Sequence, residues 1–371
     1  MKVVLAFDKF KGTVTAHRLN DAASQALTRE LAADVVCVPV ADGGDGTTGV
    51  LASTRPGRWV TTPTMGPLLR LDPVMASYYL CDDGTALLEV AAASGLALLP
   101  PHQRDVMQAT TLGTGLLMRN AMERGCQSIV LGLGGSATCD AAMGIMCALG
   151  AEFLDADGHY LPPNASSLDR ITYIESRGIP QAVYDCRITL LTDVDTPLCG
   201  ERGAARVFGP QKGATPAQVE QLERGLEHIA RLVGHDIADR PGCGAAGGIP
   251  ALMMHQLDCQ LVPGAPYVLE HNGFHDAMNG ADLIITGEGR LDRQTFMGKG
   301  PGVVIGMARE RQIPVAAVCG TIDPALDYRE TGLSRAVAVS EGLSHDDAMD
   351  AKSTLARVSD AVVQIVKQAV T

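Results

Sequence analysis

Short apolar runs of four to six residues recur along the chain, with few polar interruptions. They cover residues 2–7, 35–40, 128–133, 187–192, 282–286, 314–318 and 336–339. A strand that is apolar at almost every position is buried on both faces, which is typical of a parallel sheet covered by helices. Segments with helical spacing alternate with these runs, so the sequence predicts an α/β fold.

The helical segments are recognised by apolar residues at every third or fourth position. The first such stripe begins near Thr15 and consists of Leu19, Ala23, Leu27 and Leu31. Residues 216–233 predict an amphipathic helix with a mixed charged face. Ser344, followed three residues later by an aspartate, resembles a capping box that precedes a long last helix.

Two stretches break the alternation of strands and helices and indicate a second domain. Residues 58–91 predict an antiparallel hairpin that turns at an Asp-Gly pair, and residues 151–181 are irregular. We expect two domains. Residues 1–56 with 105–150 and 276–371 would form a discontinuous, Rossmann-like parallel-sheet domain. Residues 57–104 with 151–275 would form an inserted mixed α/β domain, and the active site is expected in the cleft between the two.

Composition narrows the class of partner. The chain of 371 residues carries a net charge of −12 without a basic block, which argues against nucleic acid as a partner. No segment approaches the roughly 20 consecutive apolar residues that a membrane helix needs, so no membrane partner is expected. The 10 cysteines show no paired short spacings and read as free thiols, and the chain lacks a signal-peptide pattern. These features predict a cytoplasmic protein.

Polar and glycine-rich clusters follow the predicted strands at their carboxyl ends. The clusters are Asp8–Gly12, Asp42–Thr47, Gly134–Thr138, Asp193–Asp195, Gly287–Asp292 and Gly320–Thr321. In open α/β sheets the carboxyl ends of the strands meet at one edge, where ligands bind. The sequence therefore predicts a single site built from these clusters.

The residue types of these clusters suit phosphate and Mg²⁺. Glycines allow backbone N–H groups to approach an anion, and a helix starting after Gly134–Thr138 would add its positive N-terminus. Aspartates at strand ends are oxygen ligands of the kind that Mg²⁺ takes. No G-x-x-x-x-G-K-[ST] sequence occurs, which excludes a P-loop nucleotide-binding enzyme.

Simpler interpretations exist for each cluster taken alone. The Gly-Gly-Asp-Gly-Thr string is also typical of a tight strand-to-helix turn, and Asp193 and Asp195 also suit Asx-turn caps. His271 and His275 have the spacing of zinc ligands without the Glu of the H-E-x-x-H pattern, so we interpret them as packing or surface residues. Ser94 lacks the G-x-S-x-G context of a nucleophile.

Eight motifs in order resemble the type 1 glycerate kinase family over almost the whole chain. They are FDKFKGTVTA (7–16), VPVADGGDGT (38–47), EVAAASGLALLP (89–100), TTLGTG (110–115), LGLGGSATCDAAMGIMCALGAEF (131–153), TDVDTPLCGERGAARVFGPQKGA (192–214), GAAGGIPAL (244–252) and ITGEGRLDRQT (285–295). The chain departs from the family at several positions. Ala141 and Ala142, for example, stand where two glycines are usual, which is expected to stiffen the start of a helix.

The resemblance implies ATP-dependent phosphorylation of D-glycerate, most simply at the 2-hydroxyl, with ATP and Mg²⁺ as cofactors. The catalytic candidates are Asp42, Asp193, Lys11 and Asp8. The substrate-binding candidates are Ser94, Lys212, Arg290 and Gly247. The nucleotide-binding candidates are Gly134, Gly135, Ser136, Thr138, Gly43, Gly44 and Thr47. The Mg²⁺ candidates are Asp42, Asp193 and Asp292. The aspartate that acts as base and the aspartate that holds Mg²⁺ are left open, because sequence does not show distances to the substrate hydroxyl.

Other functions fit parts of the same pattern. The loop at residues 42–47 also resembles the nucleotide loop of NAD kinases and phosphofructokinases. Phosphorylation of the 3-hydroxyl or of another hydroxy acid, and a catalytically silent protein that binds a phosphorylated metabolite, are further alternatives. The sequence predicts a small-molecule substrate and either a monomer or a homodimer.

Overall fold

The computed structural model describes residues 1–370. Its strands are β1 (Lys2–Phe7), β2 (Asp34–Cys37), β3 (Gly57–Thr64), β4 (Val74–Cys81), β5 (Thr85–Glu89), β6 (Ser128–Gly132), β7 (Glu152–Leu154), β8 (Tyr173–Glu175), β9 (Arg187–Thr192), β10 (Cys259–Pro263), β11 (Leu283–Gly287), β12 (Arg290–Leu291), β13 (Val315–Cys319), β14 (Thr321–Ile322) and β15 (Arg335–Ala338).

The α-helices are α1 (Ala16–Glu30), α2 (Thr47–Ala52), α3 (Ala91–Ser94), α4 (Leu112–Glu123), α5 (Met143–Leu149), α6 (Gln181–Tyr184), α7 (Ala204–Phe208), α8 (Pro216–Val233), α9 (His235–Ala238), α10 (Ala245–Gln256), α11 (Gly264–His271), α12 (Phe274–Ala277), α13 (Gly300–Glu310), α14 (His345–Met349) and α15 (Ala351–Val370). Short 3₁₀ helices cover Leu96–Leu98, Pro101–Gln103, Ala165–Arg170, Pro210–Lys212, Arg293–Phe296 and Tyr328–Thr331. Among residues 1–370, no helix is long and apolar enough to cross a membrane.

The first of two compact units contains 1–42, 49–54 and the described chain from Gly264 onwards. Its sheet has five parallel strands in the order β15-β13-β11-β1-β2. Alternate residues of β1 enter different cores: Val3 and Leu5 pack in one core with residues of α1 and α15, whereas Val4 packs in the other with residues of α13. The predicted parallel sheet with apolar strands covered on both faces is confirmed.

The second unit contains 43–48 and 55–263. Its six-stranded sheet has the order β10-β9-β6-β5-β4-β3, and the neighbours from β10 to β5 pair in parallel. Strands β4 and β5 form the predicted antiparallel hairpin, and Gly84 at its turn has φ +81°. This unit is therefore mixed α/β, with parallel and antiparallel neighbours in one sheet.

The predicted domain boundaries differ from this division at four places. Residues 43–48 and 55–56 were expected in the first domain but belong to the second unit. Residues 105–150 were expected in the first domain but belong to the second unit, because β6 pairs with β5 on one side and β9 on the other. Residues 264–275 were expected in the inserted domain but belong to the first unit, where Leu269 and Phe274 pack in a core with residues of β11 and α13.

The predicted helix ends agree closely with the structure. Thr15 caps α1 by accepting from the backbone N–H of Arg18. Helix α8 spans the predicted 216–233, and Thr215 and Gln218 form a capping box at its start. Ser344 caps α14 rather than the long last helix, because the chain kinks at Asp350 before α15 begins.

Candidate active site

Each of two neighbouring strands of the first unit is followed directly by a buried acidic residue. Asp8 comes directly after β1 and is 5% exposed, and its Oδ1 accepts from the backbone N–H of Lys9 at 2.6 Å. Glu288 comes directly after β11 and is also buried, and Thr295 Oγ1 donates to its Oε1 at 2.5 Å. Since β1 and β11 pair in parallel, the sheet brings these two strand ends together.

Asp42 adds a third negative charge to this group. The pKa of Asp8 is raised to about 8, first by burial and next by the charge of Asp42, and the charge of Glu288 makes a smaller contribution. Burial also raises the pKa of Glu288, and the charges of Asp292 and Asp42 act in the same direction. Lys9 Nζ lies 3.7 Å from Asp42 Oδ1 and offsets part of this repulsion. We call Asp8, Asp42 and Glu288 the acidic cluster.

The acidic cluster fits Mg²⁺ by its donor chemistry. It offers carboxylate oxygens that repel one another without a cation, and Mg²⁺ takes one or two carboxylates while keeping several waters. A tighter grouping exists elsewhere in residues 1–370: ligand atoms of Asp155, Asp157 and His159 lie within 4.8 Å of one another. Asp155 there accepts the backbone N–H groups of the other two residues, so that group is a surface turn.

Two other predicted residues of the first unit, Asp292 and Arg290, have local partners. Asp292 caps a 3₁₀ helix by accepting from the backbone N–H of Gln294 at 2.8 Å. Arg290 is exposed, and its guanidinium lies 3.5 Å from the carboxylates of Asp292 and Asp323. Lys11 is exposed. Asp292 thus has a backbone partner and a guanidinium partner, and its role as a Mg²⁺ ligand stays a prediction.

In the second unit, backbone N–H groups of the predicted phosphate loop, residues 43–48, are hydrogen-bonded within the protein. Thr47 Oγ1 accepts from the Gly43 N–H at 3.1 Å and donates to the Gly44 carbonyl at 2.6 Å. The N–H groups of Gly46 and Thr48 donate to the carboxylate of Glu89. Gly43, Gly44 and Thr47 thus form a structured turn.

Lys212 and Ser136 meet in the interior of the second unit. Lys212 is 3% exposed, and its Nζ donates to Ser136 Oγ at 2.8 Å and to the Thr138 carbonyl at 2.7 Å. Burial lowers the pKa of Lys212 to about 8. Within residues 1–370, the buried Thr138 Oγ1 has no hydrogen-bond partner. The predicted substrate-binding and nucleotide-binding residues Lys212, Ser136 and Thr138 are therefore brought together.

The prediction that a helix begins directly after Gly134–Thr138 is wrong. Helix α5 begins only at Met143, because Ala141 and Ala142 have φ +50° and +68° and interrupt the chain before it. They do not stiffen the helix start, since they lie outside it. Asp140 directly precedes these two alanines. Its Oδ2 accepts from the backbone N–H groups of Thr111 and Gly144 and from Thr111 Oγ1.

The five remaining predicted residues of the second unit lie in different surroundings. Ser94 is fully buried, and its Oγ accepts from Thr114 Oγ1 at 2.9 Å. A Cβ at Gly247 would lie 2.2 Å from the Thr138 carbonyl oxygen, so this glycine allows two backbones to pack closely. Asp193 follows β9 and is partly exposed. Gly134 is partly exposed and Gly135, at φ +75°, is exposed, so both can be reached by a ligand.

The sequence interpretation missed three carboxylates: Asp140 and Glu288, which are buried, and Glu89, which is partly exposed. Each lies inside a quoted motif, and Glu89 and Glu288 stand at the carboxyl end of a strand. The available signal was position: an acidic residue directly at a strand end in an otherwise apolar context.

Comparison with known proteins places these residues in a family. The profile of the glycerate kinase family matches residues 3–367. A protein of Halalkalibacterium halodurans named glycerate kinase is 36% identical over 361 residues, which cover 95% of this chain and 94% of the relative. A protein of Escherichia coli K12 named glycerate 2-kinase is 39% identical over 333 residues, covering 87% and 86%.

The fold agrees with an experimental structure. A crystal structure from Salmonella typhimurium LT2, whose protein carries the provisional name glycerate kinase 2, superposes with a TM-score of 0.84. It is 36% identical in sequence, and the match covers 99% of this chain and 98% of the other.

Proposed function

Because the chain belongs to the glycerate kinase family, we propose that it transfers the γ-phosphoryl group of ATP to the 2-hydroxyl of D-glycerate, giving 2-phospho-D-glycerate and ADP. The observation that carries this proposal is the extent of the family match, which runs over residues 3–367 and so includes both the acidic cluster and Lys212. We expect the enzyme to act in the cytoplasm as a monomer or homodimer.

The acidic cluster is proposed to hold Mg²⁺. When bound, Mg²⁺ neutralises phosphate charge and orients the phosphoryl group for transfer. Asp8 has a pKa of about 8 because of burial and the Asp42 charge, so a nearby cation would favour its ionised form. Asp42, a member of the acidic cluster, and Asp193 are the leading candidates for holding the metal and for accepting the proton of the substrate hydroxyl.

Lys212 is proposed to act on the anionic part of the substrate through Ser136. The lysine ammonium donates to Ser136 Oγ, so the hydroxyl hydrogen of Ser136 is left to donate elsewhere. A hydroxyl that accepts from a cation is a stronger donor to a carboxylate or phosphoryl oxygen. Gly134 and Gly135 precede this serine, and their backbone is proposed to approach the nucleotide phosphates.

The test is D-glycerate-dependent release of ADP from Mg·ATP by the wild type and two variants. We expect Asp42→Asn to lower turnover by at least about 100-fold, the order seen when a group that stabilises transition-state charge is lost. Asp45→Asn, which changes an exposed aspartate of the same loop, is the matched control and should retain near wild-type turnover. Equal turnover by both variants would remove Asp42 from the mechanism, and no glycerate-dependent ADP release by the wild type would refute the proposed reaction.

A further inference from the structure

Glu89 lies at the end of β5, directly against the predicted phosphate loop. Its Oε1 accepts from the Thr48 N–H at 2.7 Å, and the Gly46 N–H lies 3.1 Å from Oε1 and 3.2 Å from Oε2. A carboxylate of the protein therefore occupies backbone donors that a glycine-rich loop would otherwise offer to a phosphate.

Neighbouring glycines make room for this arrangement. Gly132 lies opposite Glu89 in the pairing of β5 and β6. A Cβ at Gly132 would lie 2.8 Å from the Gly43 carbonyl oxygen and 3.5 Å from Glu89 Cγ. A Cβ at Gly134 would lie 2.4 Å from the Gly44 Cα. The Gly43–Gly44 part of the loop is thus packed closely against the end of β6, and the Glu89 carboxylate holds the Gly46–Thr48 part by hydrogen bonds.

We propose that Glu89 is a positioning residue for the nucleotide part of the site: it fixes the 43–48 loop, which follows Asp42, in one conformation. This inference rests on the proposed function and on the sequence prediction that Gly43, Gly44 and Thr47 of this loop contribute to ATP binding. In this role Glu89 does not touch the reacting atoms. It acts by accepting hydrogen bonds from the backbone N–H groups of Gly46 and Thr48. Loss of its charge-assisted hydrogen bonds loosens the loop and weakens ATP binding more than glycerate binding.

The experiment compares Glu89→Gln with the wild type and with Asp83→Asn. Asp83 is the control because its carboxylate accepts a backbone N–H, that of Thr85, at the opposite end of the same strand. The glutamine retains the shape of the side chain but presents an NH₂ group to one of the two backbone donors. We expect the KM for ATP to rise by at least about tenfold in Glu89→Gln, with the KM for D-glycerate changed by less than about threefold.

Two further measurements separate positioning from a general loss of stability. Hydrogen exchange of amides in residues 43–48 should accelerate in Glu89→Gln and stay unchanged in Asp83→Asn. If Glu89→Gln does not fold, Gly46→Ala perturbs the same loop with Glu89 intact, since Gly46 has φ +93° and open space around a Cβ. It should produce the same selective rise in the KM for ATP.

An equal rise of both KM values, or unchanged exchange at residues 43–48, would overturn the positioning role. The failure of the proposed function is distinguished by ATP-binding calorimetry. A wild-type chain that binds ATP without glycerate-dependent turnover refutes only the reaction, and the ATP affinity of Glu89→Gln then decides the role of Glu89. A wild-type chain that neither binds ATP nor turns over refutes both.

Discussion

Replacement of Lys212 by methionine should abolish activity while leaving stability at neutral pH almost unchanged. The ammonium is buried, and burial lowers its pKa from 10.5 to about 8. That difference corresponds to about 3 kcal/mol by which burial disfavours the charged form in the folded state. Lys212→Met removes this cost. It also leaves Ser136 Oγ and the Thr138 carbonyl without their donor, a loss of roughly 1–3 kcal/mol for each unsatisfied group. The two effects offset each other.

The pH dependence gives the sharper form of this prediction. The folded-state pKa of Lys212 lies below that of the unfolded chain, so the unfolded state binds the extra proton between about pH 8 and 10.5. The unfavourable contribution of Lys212 is complete below pH 8 and disappears as the pH rises through this range. The stability of the wild type relative to Lys212→Met should therefore increase by about 3 kcal/mol from pH 7 to 10.5.

Urea unfolding of both proteins at pH 7 to 10.5, together with D-glycerate-dependent ADP release, measures these effects. Lys367→Met, which removes an exposed lysine 2.9 Å from Glu30, is the control. It should change stability by less than about 1 kcal/mol and leave activity intact. A loss of more than about 3 kcal/mol in Lys212→Met at pH 7 would refute this reasoning, because it would indicate an ammonium held in a net-stabilising buried ion pair.

Three other changes test the site and its support. Ala142→Gly should stabilise the protein by about 1 kcal/mol in urea unfolding, because Ala142 has φ +68°; an unchanged midpoint would argue against strain there. Asp140→Asn should alter the pH dependence of unfolding: the pKa of Asp140 is about 6, above the usual 3.8, so the wild type should gain about 3 kcal/mol over the variant from pH 7 to 4, and parallel curves would contradict this. Asp42→Asn should lower turnover without lowering the unfolding midpoint, because it removes a charge that repels Asp8; a destabilised variant would contradict the repulsion.

The elements were predictable because their signals are local. The strand pattern of β9, with Ile188, Leu190 and Leu191, and the capping box at Thr215 each determine structure within a few positions, and both agree with the structure. The partition into units was only partly predictable. Residues 128–133 are apolar enough for either sheet, and their place depends on pairing with β5 and β9, which lie far away along the chain.

The site was predictable in outline and less so in its contacts. Asp8 and Asp42 were found from their positions after strands, and the structure adds their mutual repulsion. The role of Glu89 depends on where its carboxylate meets the loop at 43–48, and sequence spacing does not show this. The start of α5 was misplaced because alanine is normally helical, whereas Ala141 and Ala142 adopt left-handed conformations that tertiary packing maintains.

The central claim is phosphorylation of D-glycerate at its 2-hydroxyl. The most direct measurement incubates the purified chain with Mg·ATP and D-glycerate and adds enolase to report the product. We predict D-glycerate-dependent ADP release with immediate conversion of the product to phosphoenolpyruvate. ADP release that yields phosphoenolpyruvate only after a phosphoglycerate mutase is added would place the phosphate on the 3-hydroxyl. The absence of D-glycerate-dependent ADP would contradict the proposed function altogether.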